Sequence, residues 1–260
     1  MNTTPNSPSR LNAIQMGKPL TPHPASLYSA CLQNEHGKQL GIRIEKEQEM
    51  IEPRDYWESC FEGMNPESHD FSKSKPASVI VGFCDNYLKD EAVVLDLGCG
   101  GGRNAHYLAE RGYKVCGLDI AATAVEFCQK RFARFSLPGT FRQGTFDHIP
   151  FPDGVFSGVI CVAAFDHVTL ETARTSIVEV RRVLAPGGVI LMTFDPPEKD
   201  EDILDEAEML PDGTLKFVRG KQAGMLFRRY QDKEIKSLLG EPGIISFDHA
   251  ENGTRVAVCR

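Results

Sequence analysis

Apolar positions between residues 76 and 195 alternate between helical spacing and short continuous runs. Helical spacing, with apolar residues three and four positions apart, begins after Pro76 and returns three times. The short runs are typical of strands buried on both faces, and they predict strands at 92–97, 113–118, 140–144, 155–164 and 189–194. This alternation of strand and helix predicts a mostly parallel sheet with helices on both faces.

The alternation ends at Phe194. An acidic, helix-permissive stretch follows at 195–210, in which Ile203, Leu204 and Ala207 have helical spacing. The remaining patterns predict, in order, a hairpin, a helix and a closing antiparallel hairpin, at 215–227, 232–239 and 244–259. The whole pattern predicts an α/β fold: a doubly wound, mostly parallel seven-stranded sheet with a C-terminal antiparallel hairpin.

Residues 1–50 show little periodicity, and the prolines within the first 25 residues disfavour both helix and strand. We therefore expect a mobile tail or lid at 1–50, with a short helix at 39–51 that orders only over a ligand. The domain is expected at 51–260, with 195–230 inserted on the substrate side. Tyr56 and Trp57, at its start, either anchor the entry segment or form one wall of a ligand pocket.

Composition narrows the class of protein. The chain has 260 residues, of which 41% are apolar and 25% charged, as in ordinary soluble globular proteins. Neither a secretory signal nor an apolar run of roughly 20 residues is present, so a cytoplasmic location without a membrane partner is expected. The eight cysteines are scattered without ligand spacing, so we expect no metal. A net charge of −7 disfavours a broad nucleic-acid surface.

A glycine-rich turn follows the first strand of the alternation. Four of the five positions from Gly98 to Gly102 are glycine, and such a turn exposes backbone amides at the carboxyl edge of a sheet. Asp119 ends the next strand, 21 residues after Gly98, where a carboxylate can accept hydrogen bonds from a ribose diol. The two features predict a nucleoside cofactor. Arg103 replaces the third glycine of a dinucleotide motif, which disfavours a nicotinamide cofactor.

The run from Val94 to Arg103 resembles the first motif of class I S-adenosylmethionine-dependent methyltransferases. Further segments resemble the later motifs of that family in order and spacing, at 117–120, 144–151, 161–164 and 182–188. The resemblance covers about residues 76–195. It implies a Rossmann-like methyltransferase fold, S-adenosylmethionine as cofactor, and in-line transfer of its methyl group to an acceptor.

The resemblance also implies a set of cofactor-binding residues: Asp96, Gly98, Cys99, Gly100, Asp119, Ile120, Thr145, Phe146, Val162 and Ala163. In the family pattern, the turn from Asp96 to Gly100 holds the methionyl part, and Asp119 holds the ribose hydroxyls. Ile120 packs on the adenine, Thr145 and Phe146 meet its edge, and Val162 and Ala163 line the sulfonium side. The chain departs from the pattern at Thr145, where the family usually has an acid, and at Ser157, where it often has Asp.

Candidate acceptor-side residues lie outside the shared motifs. His167 and Tyr230 are candidate general bases, although a lone histidine at this position is more often a packed residue. Tyr56, Trp57 and Arg228 are candidate contacts to the acceptor. We expect a small-molecule acceptor, because no basic aromatic platform for nucleic acid is visible. The alternatives are a non-catalytic S-adenosylmethionine-binding scaffold, a protein or RNA methyltransferase, and a nicotinamide oxidoreductase. The sequence indicates no oligomeric state.

Overall fold

The computed structural model describes residues 31–33, 39–41, 51–65, 75–196 and 206–260. Strands β1 (Cys31–Gln33) and β2 (Gln39–Gly41) pair antiparallel and belong to a unit of their own, which ends at Gln48. The prediction of a helix from Gln39 is therefore wrong at 39–41, where backbone pairing with β1 sets an extended conformation. The rest of the predicted tail or lid lies outside the described residues.

The second unit, residues 49–260, contains helices and strands in near-regular alternation up to residue 194. Its elements up to that point are α1 (Pro53–Phe61), α2 (Ser78–Tyr87), β3 (Val93–Leu97), α3 (Arg103–Glu110), β4 (Lys114–Asp119), α4 (Ala122–Arg134), β5 (Gly139–Gln143), β6 (Phe156–Cys161), α5 (Leu170–Val183) and β7 (Leu184–Phe194). The remaining elements are β8 (Ala207–Met209), β9 (Leu215–Phe217), β10 (Leu226–Phe227), α6 (Asp232–Leu239), β11 (Ile244–His249) and β12 (Arg255–Cys259).

Seven strands form one sheet in the order β11-β12-β7-β6-β3-β4-β5. The five strands from β3 to β7 pair parallel, whereas β12 pairs antiparallel with both β7 and β11. This confirms the predicted mostly parallel sheet with a C-terminal hairpin. The chain runs from β3 outward to β5 and then returns to β6 on the other side of β3. Ligands of open α/β sheets bind at such a reversal, beyond the carboxyl ends of the strands.

Apolar side chains cover both faces of the sheet. On one face, α5 buries Ala173, Ile177 and Val180, three and four residues apart, in a cluster that includes Leu95 of β3. On the other face, α2, α3 and α4 form a second cluster with Val94. Successive residues of β3 thus enter opposite clusters, which explains the continuous apolar run of its sequence.

Strands β8, β9 and β10 form a small antiparallel sheet within the predicted insertion. The predicted hairpin is confirmed, because Leu226 faces Lys216 and Phe227 faces Leu215. The predicted helical spacing up to Ala207 is wrong at 207–209, where pairing with β9 overrides a weak local preference. Residues 197–205 lie outside the described residues. Within the described segments, no helix combines the length and apolar character that crossing a membrane requires.

Candidate active site

A cavity of about 530 Å³ opens beyond the carboxyl ends of β3, β4 and β6, at the reversal of the strand order. This volume is in the range of small-molecule sites. Nine of the ten predicted cofactor-binding residues line the cavity: Gly98, Cys99, Gly100, Asp119, Ile120, Thr145, Phe146, Val162 and Ala163. The sheet topology therefore brings together residues that are up to 65 positions apart in the sequence.

The glycine turn is packed closely against neighbouring segments that also line the cavity. Gly98 has φ +74°, and the amides of Gly98 and Cys99 both donate to the carbonyl of Leu118, at 2.8 and 3.1 Å. A Cβ on Gly98 would lie 2.5 Å from Cβ of Ala164 and 3.2 Å from Phe146. Only glycine satisfies both the positive φ and this close approach.

Asp119, at the end of β4, joins the glycine turn to the start of α4. One carboxylate oxygen accepts a hydrogen bond from the amide of Gly100 at 2.8 Å, and the other accepts from the amide of Ala121 at 3.0 Å. Burial raises the pKa of Asp119, while these hydrogen bonds oppose the rise. Each oxygen has a further lone pair, so the carboxylate can still accept from a diol in the cavity.

Helix α1 supplies the apolar wall opposite the sheet. Pro53, Trp57 and Phe61 recur four residues apart, and together with Met64 they line the cavity. The ring of Phe61 lies over the glycine turn, 3.3 Å from the position that a Cβ on Gly100 would occupy. The apolar wall therefore reaches from the glycine turn to the side of the cavity where Trp57 lies.

Glu58 holds this helix against the start of α4. Its carboxylate accepts hydrogen bonds from the amides of Ala122 and Thr123, at 2.7 and 2.9 Å, and from the Thr123 hydroxyl at 2.7 Å. Partial burial raises the pKa of Glu58, but these hydrogen bonds together bring it below its usual value. A carboxylate is favoured there because helix N-termini present unpaired amides and positive potential. No pattern in the sequence indicates this long-range contact.

We expect Glu58→Gln to weaken binding of S-adenosylhomocysteine about two- to fivefold, the effect of removing one charge from a helix N-terminus. The reason is that α1, which carries Phe61 over the glycine turn, is then held less firmly. Calorimetric titration measures the change. Glu62→Gln, an exposed position at the end of the same helix, is the matched control. Equal affinity of both variants and the parent protein would contradict this role of Glu58.

His167 lies in a short 3-10 turn, Phe165–His167, just beyond β6. Its Nδ1 donates a hydrogen bond to the carbonyl oxygen of Leu226 at 2.9 Å, and its ring packs edge-on against Trp57, with centroids 4.9 Å apart. Burial lowers the pKa of His167, so the imidazole is neutral at pH 7. Because the proton is on Nδ1, Nε2 carries the free lone pair.

Tyr230 and Arg228, predicted on the acceptor side, do not line the cavity. Tyr230 is fully buried in the core against Phe194, and burial raises the pKa of its hydroxyl well above the usual value. Arg228 is buried beside α6, where it forms an ion pair with Glu234 at 2.8 Å. The structure therefore argues against both assignments, since neither side chain reaches a ligand in the cavity.

Asp96 and Tyr56 also lie outside the cavity lining. Asp96 is buried beneath the glycine turn, and its carboxylate accepts a hydrogen bond from the amide of Ala105 at 3.1 Å. It therefore positions the start of α3 from below. Tyr56 packs with the small apolar cluster of the insertion, around Leu215 and Phe217. Of the two adjacent aromatic residues, only Trp57 faces the cavity, as expected for neighbours on a helix.

Sequence reasoning missed several lining residues: Phe61, Met64, Arg103, Arg131, Thr169, Thr172 and Leu226. The spacing of Pro53, Trp57 and Phe61 is a signal that could have identified the lining face of α1. Leu226 carries no such signal, because its place depends on how the insertion packs. In the part of the chain that the structure describes, no group of three or more acidic, histidine or cysteine side chains is arranged to hold a metal ion.

Two buried carboxyls beneath the cavity predict how stability depends on pH. Burial raises the pKa of Asp96 to about 7 and that of Asp166, beside His167, to about 8. In the unfolded chain both ionise near pH 4, so the fold binds protons that the unfolded chain has already released. We expect the contribution of these two carboxyls to the free energy of unfolding to be greatest below about pH 4 and to fall until about pH 8. Each carboxyl contributes at most about 1.4 kcal/mol per pH unit.

Asp166→Asn tests this dependence. The amide oxygen still accepts the hydrogen bond that Asp166 receives from the amide of Asp195 at 3.0 Å, but the side chain no longer titrates. Urea unfolding between pH 5 and 8 should therefore show a shallower decline for the variant. The same slope in the variant and the parent protein would show that Asp166 is not held protonated.

The fold and the candidate site together define the class of protein. A doubly wound sheet with a glycine turn after its first parallel strand, and a carboxylate at the end of the next, is typical of nucleoside-cofactor proteins. The family comparison is more specific. A methyltransferase-domain model matches residues 94–188, which run from β3, the strand before the glycine turn, to the glycines within β7. The chain belongs to the class I S-adenosylmethionine-dependent methyltransferases. The glycine turn and the carboxylate of Asp119, which line the same cavity, fit that cofactor.

Similar proteins include two curated mycobacterial enzymes. A fatty-acid O-methyltransferase of Mycolicibacterium smegmatis is 34% identical in an alignment of 142 positions that covers 51% of this chain and 50% of that enzyme. A 2-heptyl-1-hydroxyquinolin-4(1H)-one methyltransferase of Mycobacteroides abscessus is 31% identical over 56% of this chain and 69% of its own length. The chain spans about half the length of the first curated relatives that it matches.

A solved structure of an S-adenosylmethionine-dependent methyltransferase from Methanosarcina mazei shares the fold. It superposes with a TM-score of 0.59 over 71% of this chain and 97% of that chain, at 22% identity. At this identity, the similarity concerns the arrangement of the sheet and helices only.

Proposed function

We propose that this protein transfers the methyl group of S-adenosylmethionine to a small-molecule acceptor. The observation that carries the proposal is the convergence of the glycine turn, Asp119, and the ends of β5 and β6 on one cavity. Family membership supports the choice of cofactor. Both curated relatives described above are named for small, largely apolar acceptors, which supports the same class of acceptor here. We also propose a cytoplasmic location.

The cofactor-binding roles are assigned along the cavity. Asp119 accepts hydrogen bonds from the ribose hydroxyls, and Ile120 packs on the adenine. The glycine turn, of which Gly98, Cys99 and Gly100 line the cavity, holds the methionyl part. Thr145 and Phe146 meet the edge of the adenine, and Thr145 does so with a hydroxyl or its backbone because it replaces an acid. Val162 and Ala163 lie on the sulfonium side.

The bound cofactor supplies a methyl group that is already electrophilic because it is attached to a sulfonium. The protein therefore has to orient the acceptor and exclude water, which alone can supply much of the rate. Trp57, Phe61 and Phe146 line the cavity with apolar surface and keep water from the reacting atoms. A catalytic base is required only for an acceptor that binds in its protonated form.

Two segments outside the shared motifs are proposed to select the acceptor. Helix α1 contributes Trp57, and the insertion at 195–230 contributes Leu226 to the same cavity. The insertion also packs its small core on Tyr56 and Trp57, so the two segments support each other. Residues 1–50 are proposed as a tail or lid.

The test is transfer of a labelled methyl group from S-adenosylmethionine to acceptors of graded size and polarity. We expect label in a small organic product and release of S-adenosylhomocysteine. Tight binding of S-adenosylhomocysteine without transfer to any acceptor would instead favour the alternative of a cofactor-binding scaffold. Label in protein or RNA would contradict the proposed class of acceptor.

A further inference from the structure

We propose that the acceptor is an uncharged, largely apolar molecule with a hydroxyl of the phenol or enol type, and that Nε2 of His167 accepts the proton of that hydroxyl. This inference rests on the proposed methyl-transfer function. It adds the chemical class of the acceptor and assigns His167 as a catalytic residue.

The first observation is the distribution of charge around the cavity. The charged lining residues belong to the cofactor side: Arg103, Asp119, Arg131 and Asp147. Around His167, the described lining residues are instead Trp57, Val168, Thr169, Thr172 and Leu226, none of which is charged. An ionic acceptor placed there would lose its hydration without an opposite charge in the lining beside it, which is strongly unfavourable, and Asp195, whose charge acts on His167, lies outside that lining. This favours an uncharged acceptor.

The second observation is that His167 is fixed in a single tautomer. Its Nδ1–H donates to the Leu226 carbonyl, and its ring contacts the rings of Trp57 and Phe227, at centroid distances of 4.9 and 5.8 Å. Burial lowers the pKa of the imidazole, and the negative charge of Asp195 only partly opposes this effect. The side chain therefore presents a neutral lone pair at Nε2, to which a hydroxyl donor is the matching group.

Among oxygen and nitrogen nucleophiles, the chemistry of the base selects the hydroxyl. Carboxylates are ionised at neutral pH, and a neutral amine attacks with its own lone pair, so neither needs a base before attack. A phenol or enol hydroxyl attacks well only as its proton leaves. The acceptor oxygen forms a bond to the methyl carbon, and the carbon–sulfur bond breaks with its electron pair remaining on sulfur. The hydroxyl proton passes to Nε2 of His167, which later releases it to water.

The test compares three probes that share one apolar body: 4-hexylphenol, 4-hexylbenzoate and 4-hexylbenzylammonium. Each is titrated calorimetrically into protein saturated with S-adenosylhomocysteine, so that binding is measured without turnover. We expect the phenol to bind at least tenfold more tightly than either ion. Binding of S-adenosylhomocysteine to the protein is measured first. If this ligand does not bind, the result contradicts the proposed function rather than this inference.

His167→Asn tests the catalytic role. The amide nitrogen of asparagine can still donate a hydrogen bond to the Leu226 carbonyl, as Nδ1 of His167 does, but the variant has no atom in place of Nε2. We expect kcat for methylation of 4-hexylphenol to fall at least about 100-fold, the usual contribution of a general base. Affinity for S-adenosylhomocysteine should stay within twofold. His249→Asn changes an exposed histidine paired with Asp232 and serves as the matched control.

Trp57 provides a measurement that does not depend on activity. It is the only tryptophan of the chain and touches the His167 ring, and a protonated imidazole quenches indole fluorescence. We expect the fluorescence to titrate with a midpoint below pH 6.5 in the parent protein and not in His167→Asn. Tighter binding of either ion, no binding of the phenol, unchanged kcat in the variant, or the same fluorescence titration in both proteins would overturn the proposal.

Discussion

Asp119→Ala is expected to weaken binding of S-adenosylhomocysteine by at least about 1–2 kcal/mol, or roughly 5- to 30-fold. The carboxylate is proposed to accept hydrogen bonds from the ribose diol, and it also holds the amides of Gly100 and Ala121. Its loss therefore removes a charge-assisted contact to the ligand and releases the turn that surrounds it. Calorimetry gives the affinity, and circular dichroism shows whether the fold is retained.

Asp153→Ala is the matched control for this substitution. Asp153 is a carboxylate in an ion pair with Arg182 at 2.6 Å, but unlike Asp119 it is exposed and lies outside the cavity lining. Its variant should bind S-adenosylhomocysteine as the parent protein does. A folded Asp119→Ala protein with unchanged affinity would show that the carboxylate has no part in cofactor binding.

The second large effect is expected for Gly98→Ala. The added methyl would lie 2.5 Å from Cβ of Ala164, and alanine would have to adopt φ +74°. Positive φ alone disfavours alanine by about 1–3 kcal/mol. Relief of the close contact must in addition move the glycine turn or the segment that follows β6, both of which line the cavity. We expect the variant to be less stable and to bind S-adenosylhomocysteine at least about tenfold more weakly. A tenfold loss corresponds to about 1.4 kcal/mol of binding free energy, which is about the contribution of one hydrogen bond to the ligand.

Gly154→Ala separates the effect of φ from the effect of the contact. Gly154 has φ +65°, but a Cβ there would meet no atom within 4 Å. This variant should lose stability through backbone strain alone and should keep its affinity for S-adenosylhomocysteine. Equal losses of affinity in the two variants would contradict the close-packed turn as the reason that position 98 is glycine.

The central sheet could be predicted because its strands are buried on both faces. Val94 and Leu95 are adjacent in β3 and enter opposite apolar clusters, so the whole strand has to be apolar and stands out in the sequence. β8 has only three residues and lies at the edge of a small sheet. Its conformation comes from pairing with β9, and a three-residue segment has no pattern that can indicate this.

The part of the cavity lining that contains the glycine turn and Asp119 could be predicted because its features are local to the backbone. A glycine turn after a strand and an acid at the end of the next are placed by the parallel sheet itself. The acceptor side depends on packing between distant segments. Arg228 and Tyr230 follow β10 directly, yet they turn into the protein, and Leu226 of the same strand lines the cavity. The orientation of such residues is set by the insertion and α6, so sequence position did not identify which would face a ligand.

The central claim is that the cavity binds S-adenosylmethionine and not a nicotinamide dinucleotide. The most direct measurement is parallel calorimetric titration of the protein with S-adenosylhomocysteine, S-adenosylmethionine and NAD. Saturable binding of both sulfur nucleosides at one site per chain, without a binding isotherm for NAD, is the predicted result. Saturable binding of NAD alone would contradict the assignment of the glycine turn and Asp119 to a methyl-donor site.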